Sequence, residues 1–187
     1  MKLLRLLGTV FSLSLRRELA FRADLLFRVL AAGVGAAAGL AALELVYTRT
    51  ETLGGWTIGE AIVLLGTYQI ASGLLATFIE PNVAWFADQV KSGKLDEVLL
   101  KPVSGLFLAS LGNSSPLGLA EVATGVVVLG AGLGELGTLP TPWGFGGWLV
   151  MLAVALVVTW ASRVLVASLA LWAPGAELDV VYGAVWQ

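Results

Sequence analysis

Four long apolar blocks separate the few charges of this chain, and each is long enough to cross a bilayer. A hydrocarbon core of about 30 Å needs roughly 20 helical residues. The blocks lie at about 25–47, 56–79, 112–136 and 143–172. The first contains VLAAGVGAAAGLAAL, uncharged between Arg28 and Glu44, and the fourth is interrupted only by Arg163. Over all 187 residues, 58% are hydrophobic and 13% charged. A soluble domain is roughly one quarter charged, so too few charges remain to cover a water-facing surface. The expected fold is an all-α, polytopic membrane bundle of about four transmembrane helices.

Residues 1–23 add an N-terminal element of another kind. Lys2, Arg5, Arg16, Arg17 and Arg22 are interleaved with Leu3, Leu6, Leu7, Val10, Phe11, Leu13 and Leu15 at near-helical spacing. The pattern predicts an amphipathic helix lying in the headgroup boundary. A signal peptide is the weaker reading, because Arg16 and Arg17 cut the apolar run and no small-residue cleavage site follows.

Lysine and arginine placement predicts orientation. Six basic residues precede or open the first block, and the 80–104 loop holds Lys91, Lys94 and Lys101. Loop 48–55 has only Arg49, balanced by Glu51, and loop 137–142 has no charge. The N-terminus and the 80–104 loop are therefore expected in the cytoplasm, with the two short loops outside.

Chemistry is constrained mostly by exclusion. The chain has neither Cys nor His, which removes disulfides and the usual ligands of zinc and haem. A net charge of −2 gives no electrostatic reason to expect nucleic acid. No cofactor is expected. Glycines four apart (Gly35 and Gly39, Gly55 and Gly59, Gly130 and Gly134) suggest small-xxx-small ridges for close helix packing, the first extended by Ala31. Glu44, Glu60 and Glu121 fall in or near the spans, where an ionisable group is costly. Glu121 and Arg163 form the candidate intramembrane polar site, with Glu121 placed to meet Arg28 or Arg163. Trp56, Trp143 and Trp148 suit an outer aromatic belt.

The stretch SGKLDEVLLKPVS, residues 92–104, superficially resembles a phosphate-binding loop. Such a loop needs Gly, four residues, then Gly-Lys-Ser/Thr. Here Asp88 stands at the first glycine and Leu95 at the hydroxyl position, so ATP is not bound there. The preceding segment reads instead as a short helix with Val83, Phe86 and Val90 on one side, broken at Ser92-Gly93.

Taken with RRELAFRADLLFRVL and GWTIGEAIVLLGTYQI, this stretch resembles the permease subunits of ABC-2-type exporters, in particular the bacterial multidrug or daunorubicin-type branch. The similarity to that branch's (R/K)SG.LD..LL.PV pattern falls on Ser92, Gly93, Leu95, Asp96, Leu99, Leu100, Pro102 and Val103. Members of the family carry about six spans, so the resemblance implies that the last third is missing here. It also implies a single permease domain that is not an enzyme. Its partners would be a separate ATP-binding subunit, a second permease subunit and the lipid of a bacterial inner membrane. The ATPase contacts it suggests are Glu80, Trp85, Phe86, Asp88, Lys91, Gly93, Leu95, Asp96 and Lys101. An autonomous transporter or channel driven by an ion gradient is the alternative, but no internal repeat supports it. An intramembrane enzyme is weaker still, since Ser72, Ser162 and Ser168 have no evident base.

Overall fold

The computed structural model describes Ser14 and residues 22–93 and 112–168. The expected interfacial helix up to residue 21, most of the SGKLDEVLLKPVS stretch, and the end of the fourth span lie outside the described residues. Helix α1 spans Arg22–Tyr47, α2 spans Ile58–Phe78, and α3 spans Glu80–Lys91. A 3-10 turn, Pro116–Gly118, leads into α4, Leu119–Leu136, and α5 spans Pro142–Ser168. Among the described residues, four stretches are long and apolar enough to cross a membrane: Ala23–Tyr47, Ile58–Phe86, Pro116–Leu136 and Pro142–Val166.

The helix boundaries follow from local chemistry. Thr57 caps α2 in a capping box, its hydroxyl accepting from the Glu60 amide while the Glu60 carboxylate accepts from the Thr57 amide. Between α1 and α2, Leu53 and Trp56 exchange backbone hydrogen bonds of 3.0 and 3.1 Å around Gly54-Gly55. The Tyr47 hydroxyl donates to the Trp56 carbonyl at 3.0 Å, which ties the end of α1 to that turn. At the start of α5, Pro142 occupies the first helical position, and the Thr141 hydroxyl accepts from the Gly144 amide at 3.1 Å.

The bundle is built around the antiparallel pair α2 and α4. Every seventh residue of α2 is glycine along the contact line, and each faces a larger residue of α4. Gly59 lies against Leu136, Gly66 against Leu129 and Gly73 against Val122. The converse set is equally regular, with Gly118, Gly125 and Gly132 against Thr77, Ile70 and Val63. Each step of seven down one helix meets a step of seven up the other. A β-carbon at Gly66 would lie 2.5 Å from the Leu129 backbone nitrogen, and one at Gly125 would lie 2.8 Å from that of Ile70. Only glycine allows this separation, which brings backbone against side chain and multiplies dispersion contacts where lipid offers no hydrophobic drive.

The glycines spaced by four contribute little to this contact. Gly39 touches Leu65 and Gly59 touches Leu136, but Gly35, Gly130 and Gly134 have no neighbouring atom within 4 Å of an added β-carbon. Gly55 lies in the turn at φ +88°. Helices α1 and α5 are attached more loosely and present apolar faces outward, including Phe27, Leu30 and Val34 on α1 and Val150, Val154 and Val157 on α5. Polar contacts hold α5 to α2 and to α3. Trp148 Nε1 donates to Thr67 Oγ1 at 3.0 Å, and Arg163 reaches α3 as described below.

Gly66→Ala should destabilise the folded chain by about 2 kcal/mol through overpacking of the α2–α4 contact. Gly33→Ala, which meets nothing within 4 Å, should change stability by less than about 1 kcal/mol. Thermal unfolding of both variants in detergent checks this, and equal effects would contradict the assigned contact line.

Candidate functional site: a polar cleft beside a proline-broken helix

Helix α2 does not run smoothly into α3. Pro81 has no amide hydrogen, so the Thr77 carbonyl, four residues earlier, loses its helical donor. The Ser115 amide takes its place at 2.9 Å. The Asn82 amide bonds to Ile79 at 3.1 Å instead of to Phe78, and the Phe78 carbonyl is satisfied by Asn82 Nδ2 at 2.6 Å. The same Nδ2 donates to the Asn113 carbonyl at 2.8 Å, and Asn82 Oδ1 accepts from the Asn113 amide at 2.7 Å. Asn82 is 1% exposed and Thr77 is fully buried, its hydroxyl donating to the Gly73 carbonyl at 2.7 Å. The carbonyls that proline frees thus become the joint that welds the start of α3 to the segment opening α4.

A cleft of roughly 580 Å³ lies beside this joint, walled by the first half of α1, the second half of α2 and the start of α4. Its polar lining consists of Arg28, Tyr68, Gln69, Ser72, Glu80 and Glu121, with small residues of 31–36 on the α1 side. Ser72 Oγ donates to Glu121 Oε2 at 3.3 Å. Arg163 Nη1 donates to Glu80 Oε1 at 2.9 Å, with the arginine side chain 14% and the glutamate 51% exposed. Gln69 is buried, and its Oε1 has no hydrogen-bond partner.

The expected polar residues are therefore brought to one end of the bundle, but in a different pairing. Arg163 meets Glu80 of α3, a helix against which α5 packs. Glu121 faces Ser72 of α2. Glu44 and Glu60 stand at the opposite end, exposed.

Among the expected ATPase contacts, Glu80 is engaged by Arg163, while Trp85 and Phe86 are half-buried and Asp88 is exposed on α3. Lys91 ends the helix, and Gly93 follows in the turn at φ +68°, a conformation that L side chains rarely adopt. Leu95, Asp96 and Lys101 lie outside the described residues. Trp56 and Trp143 are exposed, but Trp148 is half-buried and spends its indole donor on Thr67. Sequence reasoning missed Asn82, Asn113, Ser115 and Thr77. The available signal was Pro81 immediately followed by an amide side chain, at the end of a span.

Residues 34–179 match the family described as ABC-2 family transporter protein. The chain belongs to the ABC-2 transporter family. No curated protein and no solved structure matches it. The family is the membrane component of transporters and not their ATPase, and the four apolar helices make this member a multi-pass membrane protein. The all-helical bundle agrees with that membership.

Asn82→Ala would strip partners from the Phe78 carbonyl and from both backbone groups of Asn113. Loss of these buried hydrogen bonds should cost about 3 kcal/mol. Hydrogen exchange at residues 113–118 should rise together with that loss. Unchanged protection there would show that the joint does not anchor the start of α4.

Proposed function

We propose that this chain is the membrane-spanning permease subunit of an ATP-binding-cassette exporter, driven by a separate ATPase subunit and paired with a second permease subunit. On this reading it is a bacterial plasma-membrane protein whose N-terminus and α3 face the cytoplasm. The observation that carries the proposal is the Pro81–Asn82 joint. It fixes α3 to α2 through the chain and to the opening of α4 through the Asn82–Asn113 pairing. Force applied to α3 from outside the membrane would reach both helices of the close-packed pair.

Helix α3 and the loop that follows supply the surface for such a partner. Trp85 and Phe86 offer apolar anchors, and Asp88, Lys91, Asp96 and Lys101 set register by charge. Gly93 turns the chain at the end of the helix, and Leu95 adds an apolar side chain to the proposed contact. Glu80 contributes less directly, by holding Arg163 and with it the end of α5.

The test is purification of the tagged chain from its native membrane in mild detergent, followed by mass spectrometry. A stoichiometric P-loop ATPase is expected. Leu95→Asp should abolish its recovery and reduce export at least tenfold while membrane insertion stays normal. A chain that purifies alone and moves substrate in vesicles without ATP would establish a gradient-driven transporter instead.

A further inference from the structure

The charges of the cleft are arranged in an unusual way. Glu80 is neutralised by Arg163. Glu121 meets only the Ser72 hydroxyl, and neither Glu121 nor Arg28 has an ion-pair partner among the described residues. One cation on the α1 wall and one anion on the α4 wall therefore line the same space without cancelling each other. Inside a membrane such groups are costly unless something compensates them.

Their depth narrows what the compensating molecule can be. Arg28 stands about 9 Å along α1 from Arg22, and Glu121 about 3 Å along α4 from Leu119, at a rise of 1.5 Å per residue. Both sit near the same membrane boundary, where lipid headgroups lie, and not at the bilayer centre. Arg28 and Tyr68 are exposed on the outer surface of the bundle while lining the cleft, so the space opens sideways. Small residues along 31–36 of α1 make room for a bulky head.

We propose that this cleft binds the head of a zwitterionic phospholipid taken sideways from the surrounding leaflet, with Arg28 on the phosphate and Glu121 on the ammonium. The guanidinium fork matches phosphate oxygens. The ammonium lies between the Glu121 carboxylate and the Tyr68 ring, which attracts cations through its face. The Gln69 carbonyl oxygen, buried and without a partner, provides a further acceptor for an ammonium N–H. The phosphate of an anionic lipid such as phosphatidylglycerol would equally satisfy Arg28, but its neutral glycerol would leave Glu121 without a cation, so the site discriminates by headgroup charge. This deepens the reading of the chain as a transporter's membrane subunit, and rests on it only for the leaflet that supplies the lipid.

The test uses the delipidated full chain in detergent, titrated with dioleoyl phosphatidylethanolamine, dioleoyl phosphatidylglycerol or dioleoylglycerol, with bound lipid counted by native mass spectrometry. The ethanolamine lipid should bind about tenfold more tightly than the glycerol lipid, and dioleoylglycerol weakest of all. Glu121→Gln keeps an acceptor for Ser72 and should erase that preference, leaving phosphatidylglycerol binding equal or stronger. Arg28→Gln, at an exposed position, should weaken both phospholipids. Circular dichroism melts of the two variants separate lost binding from lost folding. Equal binding of the two phospholipids by the wild type, or a preference that survives Glu121→Gln, would overturn the proposal. Glycerophosphoethanolamine binding as tightly as the whole lipid would overturn the bilayer as its source. Because no ATPase is needed, lipid selectivity would stand even if no ATPase co-purified.

Discussion

The close approach of α2 and α4 is the constraint on which the rest of this structure depends. Glycines at seven-residue intervals on both helices let each backbone receive the other's side chains, from Gly59 against Leu136 to Gly118 against Thr77. In water such a contact would be secondary to apolar burial. In a bilayer, lipid tails solvate leucine as well as protein does, so tight van der Waals contact becomes the main source of helix association. A seven-residue repeat keeps the glycine faces opposed along the whole length of the pair. The pair then forms the body against which α1 and α5 are placed.

The other features sit where they do because of that body. Gly118 and Thr77 close the contact at one end, where an added β-carbon on Gly118 would meet Thr77 Oγ1 at 2.5 Å. This brings the segment before α4 beside the break at Pro81. Ser115 and Asn82 can then take up the carbonyls that the proline leaves free. The polar cleft opens beside the same place, between the first half of α1, the second half of α2 and the start of α4. On the permease reading proposed above, the tight pair and its bonded joint would receive the force, and the cleft beside them is the proposed lipid site.

Much of this was legible in the residues. The blocks around VLAAGVGAAAGLAAL and WTIGEAIVLLGTYQI announce membrane helices because their apolar length has no other stable solution. The glycine reading was met only in part, at Gly39 and Gly59. Spacing by four marks a small face on one helix, but Gly35, Gly130 and Gly134 face open space. The productive signal was spacing by seven in two separate blocks, which has meaning only once those blocks are known to pack against each other. Glu121 was singled out as a charged residue in a costly place. Its partner was not foreseeable, because Ser72 lies 49 residues away on another helix.

The sequence by itself determined that this chain enters a membrane, roughly where it crosses, and which few residues are too polar to be there without a reason. Those properties are sums over neighbouring residues, and hydrophobicity, caps and charge placement act locally. Only the tertiary structure decided which glycines touch, that Arg163 serves Glu80, and that Arg28 and Glu121 share a cleft without pairing. Only there does Asn82 appear as the residue that joins α3 to α4. These are relations between surfaces distant in the chain, and packing selects them after each helix has already formed.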